Sequence, residues 1–285
     1  MIYGSTNEMP SSHSFRALHY RTFPESEDPT YKLHAMMQSY FDVESFGIKA
    51  DAKKLIPKAD ERALSILEAK TKRVGGRYET GLLWREDVPP FPNSYHMALN
   101  RLKNVERKMS KDEVFATEYR AKISDYLKKG YPRKLSSAEA SQVTNKTFYL
   151  PHFGVRNPNK KGIRLVFDAA AEVQNMSLNK ALLSGPDINN SLISILLKFR
   201  QAPIAVCGDI KEMFHQIIIT AEDRDSQRFL WRDGDPSKQV ETFRMERMIF
   251  GSICSPTIRQ KCQREELCYR MSSRRARHYR KTLRG

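Results

Sequence analysis

The most informative segment of the sequence is Ala205-Val-Cys-Gly-Asp209-Ile-Lys-Glu-Met-Phe214-His-Gln-Ile217. An apolar run that follows Pro203 and is broken by an acid is typical of a short buried strand that presents Asp209 at its end. An aromatic ring, Phe214, follows and is expected close to whatever the carboxylate binds. An aspartate in this place is also the ordinary residue of a turn or a helix cap, so the segment alone leaves both interpretations open.

Two more segments extend the pattern on either side. Gly162-Ile-Arg164-Leu-Val-Phe-Asp168 lies upstream, and Ile249-Phe-Gly251-Ser-Ile-Cys-Ser255-Pro256 lies downstream. In this order the three segments resemble the fingers, first palm and second palm motifs of reverse transcriptases. The residues around them resemble the reverse transcriptase region of BEL/Pao-type LTR retrotransposon Pol polyproteins over about residues 30 to 260. Further segments that carry the resemblance are Tyr149-Leu-Pro-His152-Phe-Gly-Val-Arg-Asn-Pro-Asn, Val166-Phe-Asp-Ala-Ala-Ala171 and Leu182-Leu-Ser-Gly-Pro-Asp187.

The resemblance implies an α+β fold of incomplete reverse transcriptase fingers and palm, in which helices pack on an antiparallel sheet and a mainly helical region precedes them. The order of predicted elements agrees, because helices precede and interleave with antiparallel strands. We expect a mobile segment over residues 1–30, a helical pre-polymerase region over 31–93 and a fingers-like region over 94–205. A partial palm over 206–263 and a basic tail over 264–285, which is unlike the family, complete the predicted organisation.

The spacing of apolar residues predicts the individual elements. Helices are predicted over 32–46, over 60–73 up to Gly75-Gly76, from a cap at Ser94, and from a capping box at Ser110 to Gly130. The last of these is expected to bury Val114, and a further helix through Phe199 is expected to start at Asp187. Strands are predicted over 147–150, 163–167, 204–208, 215–219, 227–231 and 240–245, and the last two should form a hairpin.

Template-directed nucleotide addition is an in-line displacement at a phosphate, in which two divalent ions hold the attacking and leaving oxygens. The resemblance implies RNA-directed DNA polymerase activity, an RNA or DNA template-primer and deoxynucleoside triphosphates as partners, and Mg²⁺ or Mn²⁺ as the metal. It makes Asp209 the catalytic residue and first metal carboxylate, with the backbone carbonyl of Ile210 as a second ligand. Phe214 matches the ring that excludes a ribose 2′-hydroxyl, and a core ring is its ordinary alternative.

Nucleotide-binding residues follow from the same resemblance. Arg164 matches the fingers arginine that grips the triphosphate, a role suited to a planar guanidinium fork. The turn over 157–162 is where the family commonly places a lysine near the β- and γ-phosphates, and either Lys160 or Lys161 can supply it. The second palm motif, whose turn shapes the nucleotide pocket, is matched by Phe250, Gly251 and Ser255.

The sequence departs from the family after Pro256. Reverse transcriptases supply the paired metal carboxylates from a Tyr-x-Asp-Asp hairpin, whereas residues 257–285 contain no aspartate. Because one carboxylate cannot hold two ions, metal binding is doubtful, and we expect a truncated or frame-shifted retroelement fragment that is inactive by itself. Three alternatives stay open: a reading-frame error that interrupts an active polymerase, a non-enzymatic nucleic-acid-binding module, and an unrelated scaffold.

The net charge of +16, from 49 Lys and Arg against 33 Asp and Glu, favours a polyanionic partner, because phosphate contacts release condensed counterions. No apolar stretch is long enough to cross a bilayer, no secretion signal is recognisable, and the four cysteines lack zinc-ligand spacing. An intracellular protein, cytoplasmic or nuclear, without a membrane partner is therefore expected. Two predicted helices carry basic faces that are either solvated or contact a template strand, formed by Arg101, Lys103, Arg107, Lys108, Arg120, Lys122, Lys128 and Lys129.

Overall fold

The computed structural model describes residues 33–34, 36–37, 56–86, 90–156, 162–201, 204 and 208–266. The chain divides by its internal contacts into two units, Met1–Leu55 and Ile56–Gly285. In the first unit Leu33, His34, Met36 and Met37 are helical, and the rest of the helix predicted over 32–46 lies outside the described residues. The segment 1–30 and most of the basic tail, 267–285, also lie outside them. All other described elements belong to the second unit.

The second unit begins with helix α1, Lys58–Lys70, followed by a hairpin of β1, Lys72–Val74, and β2, Arg77–Thr80. The prediction that this helix continues to residue 73 was wrong, because Lys72–Val74 pairs with the next strand instead. Gly75-Gly76 forms the hairpin turn with φ values of +53° and +81°. Two consecutive positive φ values suit a two-residue hairpin turn and are accessible to glycine without steric cost.

Two long helices follow, α2 at Tyr95–Lys111 and α3 at Glu113–Lys128. The helix predicted from Ser94 is confirmed, and its apolar stripe is buried. The cap predicted at Ser94 was wrong, because its hydroxyl accepts from the Tyr149 amide and makes no capping bond to α2. The predicted capping box at Ser110 was wrong: Asp112 is the N-cap of α3 and accepts a hydrogen bond from the Phe115 amide, while the Ser110 hydroxyl donates to the Arg107 carbonyl. The burial expected for Val114 was also wrong, since that side chain is 66 % exposed and Phe115 lies in the core instead.

The next elements form two antiparallel sheets. Strand β3, Pro132–Lys134, pairs with β8, Glu241–Met245, which pairs with β7, Arg228–Trp231. The short helix α4, Ser137–Ser141, follows β3. The predicted hairpin of the last two strands is confirmed as the β7–β8 pair. The strand predicted over 163–167 is also confirmed. It forms β5, Ile163–Phe167, which pairs with β4, His152–Arg156. No strand forms over 147–150, where Tyr149 makes a single bridge to Arg228.

The segment after Asp209 is not the strand predicted over 215–219. Residues Met213–Gln216 form a 3-10 helix, and only Ile218–Ile219 is a strand, β6, which pairs parallel with β2. A second 3-10 helix, Ala221–Gln227, leads into β7. The physical reason is that Glu212 has a left-handed backbone conformation, which breaks the extended chain just before Phe214. Most of the strand predicted over 204–208 lies outside the described residues.

Three further helices are α5 at Leu178–Ala181, α6 at Leu192–Phe199 and α7 over residues 255–266. The residue expected to cap α6 was wrong: Ser191 holds the N-cap position, and Asp187 accepts from the Asn189 amide in a turn before the helix. No side chain of α6 is buried. The start of α7 at Ser255-Pro256 agrees with the preference of proline for the first helical turn.

One hydrophobic core joins α1, α2, α3, the β4–β5 pair, the β7–β8 pair and α7. The α+β class is confirmed, with helices packed against small sheets that are antiparallel except for the β2–β6 pair. The elements predicted as fingers and those predicted as palm share this core. None of the helices in the described part of the chain has the length and apolar composition needed to cross a membrane.

Candidate functional site

A surface cavity of about 270 Å³ lies between α3, β5 and the segment around the first 3-10 helix. Arg164 enters it because alternate residues of β5 point in opposite directions, which leaves Arg164 exposed between the buried Ile163 and Leu165. Lys122 and Tyr126 line the cavity from α3. The cavity therefore brings two cations and an aromatic ring to one face of the fold.

Three segments that are distant in sequence meet at this cavity through a chain of contacts. The Arg164 guanidinium lies 5.8 Å from the ring centre of Phe250, and the Phe250 ring meets the Phe214 ring edge to face at 4.4 Å. Phe250 is 52 % exposed and lines the cavity, whereas Phe214 is buried behind it. Arg164, Phe214 and Phe250 are thus brought together, and Phe214 here has the environment of a core ring.

The turn before α7 is fixed to the end of β5 by backbone contact. A β-carbon on Gly251 would stand 2.2 Å from the carbonyl oxygen of Phe167, so only glycine fits. Asn179 of α5 secures the same turn by donating to the Gly251 carbonyl at 3.1 Å and accepting from the Ile253 amide at 2.9 Å. Asn179 was missed by sequence reasoning, because nothing in its own segment signals a long-range partner.

Ser255, predicted as nucleotide-binding, is buried and does not line the cavity. Its hydroxyl donates to the Ile249 carbonyl at 2.7 Å, which closes the turn that carries Phe250. The neighbouring Cys254 is also buried, and burial raises the pKa of its thiol. Both residues support the turn from inside the protein.

Glu212 is an acidic residue that lines the cavity, and the sequence analysis did not predict it. Its carboxylate accepts hydrogen bonds from the Lys129 ammonium at 2.8 and 3.0 Å and from the Tyr131 hydroxyl at 2.7 Å, and Lys122 lies 3.5 Å away. Burial alone would raise the pKa of Glu212, but the hydrogen bonds and charges of these partners outweigh it and lower the pKa to about 2. The φ of +51° at Glu212 is sterically unfavourable for a non-glycine residue. These bonds therefore hold the segment after Asp209 against α3 and β3.

His215, which also borders the cavity, is a packing residue. The ring is buried, and Nδ1 lies 2.9 Å from the Met248 carbonyl oxygen. Burial lowers the pKa of the imidazole, so it is neutral at pH 7. A neutral histidine bonded to a backbone carbonyl holds the first 3-10 helix against the segment after β8.

Asp209 and Ile210, predicted to hold a metal, are both exposed and do not line the cavity. No group of three or more His, Cys, Asp or Glu side chains in the described residues could hold a metal ion. Glu212 is close in sequence, but its oxygens are engaged by two lysines and a tyrosine. The described donor set does not fit a two-metal centre. Lys160 and Lys161 lie outside the described residues.

The basic faces of α2 and α3 are partly neutralised. The Lys108 ammonium lies 4.3 Å above the Phe115 ring, while exposed Lys103 and Lys128 make no ion pair within the described residues. The free positive charge on these helices is therefore smaller than the sequence suggests. The ion pairs join Arg101 to Asp168, Arg120 to Glu113, and Lys122 and Lys129 to Glu212.

Comparison with known proteins finds similarity among solved structures alone. No protein-family model matches the chain, and no curated protein matches it. Among solved structures it is similar to the foamy viral protease-reverse transcriptase dRH in complex with double-stranded DNA, with 20 % identity and a TM-score of 0.32. The matched region covers 48 % of this chain and 20 % of that chain, so the chain spans about a fifth of that protein.

Proposed function

We propose that this chain is the fingers and partial palm of a reverse transcriptase from a BEL/Pao-type LTR retrotransposon Pol polyprotein. The family activity is RNA-directed DNA synthesis by two-metal nucleotidyl transfer, on a template-primer and with deoxynucleoside triphosphates. In this proposal the cavity takes the nucleotide, with Arg164 and Lys122 on its phosphates and the Phe250 ring beside its sugar or base. Glu212 holds the backbone after Asp209 in place.

The observation that carries the proposal is the contact of Arg164, Phe250 and Phe214. The three side chains come from the three segments that resemble the fingers and palm motifs, and residues outside these segments separate them in sequence. A planar guanidinium next to an exposed aromatic ring can bind a phosphate and a base or sugar at once. A resemblance confined to sequence would not require the three segments to meet.

The metal is the incomplete part of the proposed site. Asp209 is the one carboxylate that the family motifs assign to it in these 285 residues. We therefore propose that the chain binds nucleotide but does not catalyse synthesis by itself.

Titration with a deoxynucleoside triphosphate tests the nucleotide site, with binding followed by calorimetry. Arg164→Gln is expected to weaken binding by about tenfold, since it removes a charge-assisted phosphate contact. The matched control is Arg156→Gln on the paired strand β4, where the arginine bonds Asp112 and Glu118 and does not line the cavity. Equal loss in both variants, or no binding by the unaltered chain, would overturn the proposal.

A non-enzymatic nucleic-acid-binding module is the alternative, and the net charge of +16 favours it. Such a module would bind DNA or RNA with little sequence preference, and its affinity would fall steeply between about 50 and 200 mM salt. It would not bind free nucleoside triphosphate in a way that depends on Arg164. The calorimetric titration and a salt series with a DNA duplex therefore separate the two functions.

A further inference from the structure

Unsatisfied polar atoms gather around β6, on residues that do not line the cavity. The described residues contain five buried side-chain nitrogen or oxygen atoms without a hydrogen-bond partner, and four of them are guanidinium nitrogens. Buried polar groups in native proteins are nearly always bonded, so a cluster of unmatched donors is an exception that needs a physical explanation. The atoms are Arg77 Nη1, Gln227 Oε1, Arg244 Nε, and Arg247 Nε and Nη1.

Arginines outnumber carboxylates in this region. The Glu246 carboxylate is shared by Arg133 at 3.2 Å, Arg244 at 3.4 Å and Arg224 at 3.5 Å. Arg77 and Arg247, by contrast, have no carboxylate oxygen within 4.0 Å in the described part of the chain. Among the described residues, these two guanidinium groups are therefore left without a direct ion-pair partner.

The backbone fixes these two arginines on either side of β6. Arg77 is the first residue of β2, which pairs with β6, and Arg247 bridges to Ile218 of β6 from the other side. The flanking residues are held by bonds from the Glu246 amide to the Tyr131 carbonyl and from the Met248 amide to the Ile217 carbonyl. Both Glu79 and Arg247 lie opposite Ile218, so Arg77, two residues before Glu79, shares a face of the sheet with Arg247. Burial and then the charge of Arg77 lower the pKa of Arg247, and Glu246 opposes them.

We propose that Arg77 and Arg247 form a binding site for a tetrahedral oxyanion of the phosphate class. Guanidinium groups bind such oxyanions through pairs of parallel N–H donors, and a doubly charged anion would balance both arginines. Solvent reaches the site, since Arg77 and Arg247 are each only half-buried. This proposal does not depend on the proposed function, because neither arginine lines the nucleotide cavity.

Thermal unfolding of the full chain with inorganic phosphate, compared with chloride at equal ionic strength, tests the site. Phosphate is expected to raise the Tm by about 2 °C or more, because it binds the folded state. Arg77→Gln and Arg247→Gln should each remove at least half of that shift. Arg62→Gln is the matched control, because Arg62 lies on α1, bonds the Trp84 carbonyl and Glu86, and should keep the shift.

A second measurement keeps the test valid if a variant fails to fold. The side-chain Nε–H resonances of Arg77 and Arg247 in the unaltered chain should move on titration with phosphate. Equal Tm values in phosphate and chloride together with unmoved resonances would overturn the proposal and leave ordered water as the acceptor.

Binding of a short DNA duplex distinguishes the two sources of the oxyanion, which are a free anion and a phosphate of a nucleic-acid backbone. If phosphate competes with a short DNA duplex and both Gln variants bind the duplex about tenfold more weakly, the site takes a backbone phosphate. If duplex binding is unaffected while the phosphate shift persists, the site takes a free anion. Either result supports the site.

Discussion

The carbonyl oxygen of Phe167 lies so close to Gly251 that a β-carbon on residue 251 would stand 2.2 Å from it. This contact joins the end of β5 to the turn that carries Phe250, and it sets where that ring meets Arg164. The family motif predicts a glycine here. The physical reason for this glycine is that the Phe167 carbonyl approaches its backbone closely; a positive φ is not the reason.

Gly251→Ala is expected to lower the free energy of unfolding by about 1–3 kcal/mol, because the backbone must shift to admit the methyl group. Urea unfolding measures the change. Gly208→Ala is the matched control, since a β-carbon there meets none of the described residues within 4 Å and the residue has no positive φ. Similar losses in the two variants would show that the turn adapts to the extra atom.

Glu212 should make stability depend on acid pH. Its folded-state pKa is lowered from the ordinary 4.5 to about 2, so its contribution is complete above about pH 4.5 and is lost as the pH falls towards 2. Glu212→Gln should therefore reduce the free energy of unfolding by about 2 kcal/mol at pH 7, with the difference disappearing near pH 2. Urea titrations of both proteins across this range measure it.

The control for Glu212 is Glu113→Gln, which alters a carboxylate that is 80 % exposed and 3.3 Å from its arginine partner. That variant should differ from the unaltered chain by less than about 0.5 kcal/mol at every pH. A difference between Glu212→Gln and the unaltered chain that stays constant from pH 7 to pH 2 would contradict the ionic role of Glu212.

Replacing only one partner of the buried ion pair between Glu106 and Arg232 should lower the free energy of unfolding strongly. The two groups form two bonds of 2.7 Å, and the Glu106 side chain is 3 % exposed. Glu106→Ala is expected to cost about 3–5 kcal/mol because it leaves the guanidinium charge buried without its partner. The double change Glu106→Leu with Arg232→Met should restore much of the loss.

An exposed ion pair provides the comparison for this prediction. Glu241→Gln removes the partner of Lys134, and both side chains are largely solvated. Its expected cost is below about 1 kcal/mol. If the two single changes destabilise the protein equally in urea unfolding, the Glu106 pair is not effectively buried.

Primer extension by this chain with Mg²⁺ or Mn²⁺ is expected to fail. The described donor set does not fit two ions, and the only acids in the tail, Glu265 and Glu266, follow a basic run. Incorporation of labelled nucleotide on an RNA or DNA template measures activity. Template-dependent incorporation that Asp209→Asn abolishes would overturn the prediction, because a second carboxylate would then have to reach the metal.

The spacing of apolar residues correctly predicted those elements in which the apolar residues of the pattern form the buried face. Residues Ile163–Phe167 alternate and form β5, and the stripe of Ala98 and Leu102 buries one side of α2. Predictions failed where neighbouring chains compete with local preference. Lys72–Val74 became a strand because Arg77–Glu79 pairs with it, and Ser110 lost the cap because α2 extends through it.

The candidate site could be predicted only in part for a similar reason. The resemblance identified Arg164, Phe214 and Phe250, and these do meet. It gave no indication that Phe214 is covered by Phe250, or that Glu212 bonds Lys129 across a separation of 83 residues. Long-range side-chain partners have no period or spacing in sequence, so only the folded arrangement reveals them.

Helix α6 lies in the sequence between the two parts of the candidate site, so a cut in this helix would divide the site into two fragments. An eight-residue helix without a buried side chain has neither the length nor the packing that keeps a helix formed in water. Its amides should exchange with solvent quickly, and a protease should cut there early. The cut would separate the segment with Arg164 from the segment with Phe214 and Phe250. The core that both segments share would hold them together, so the cavity would survive as a complex of two fragments.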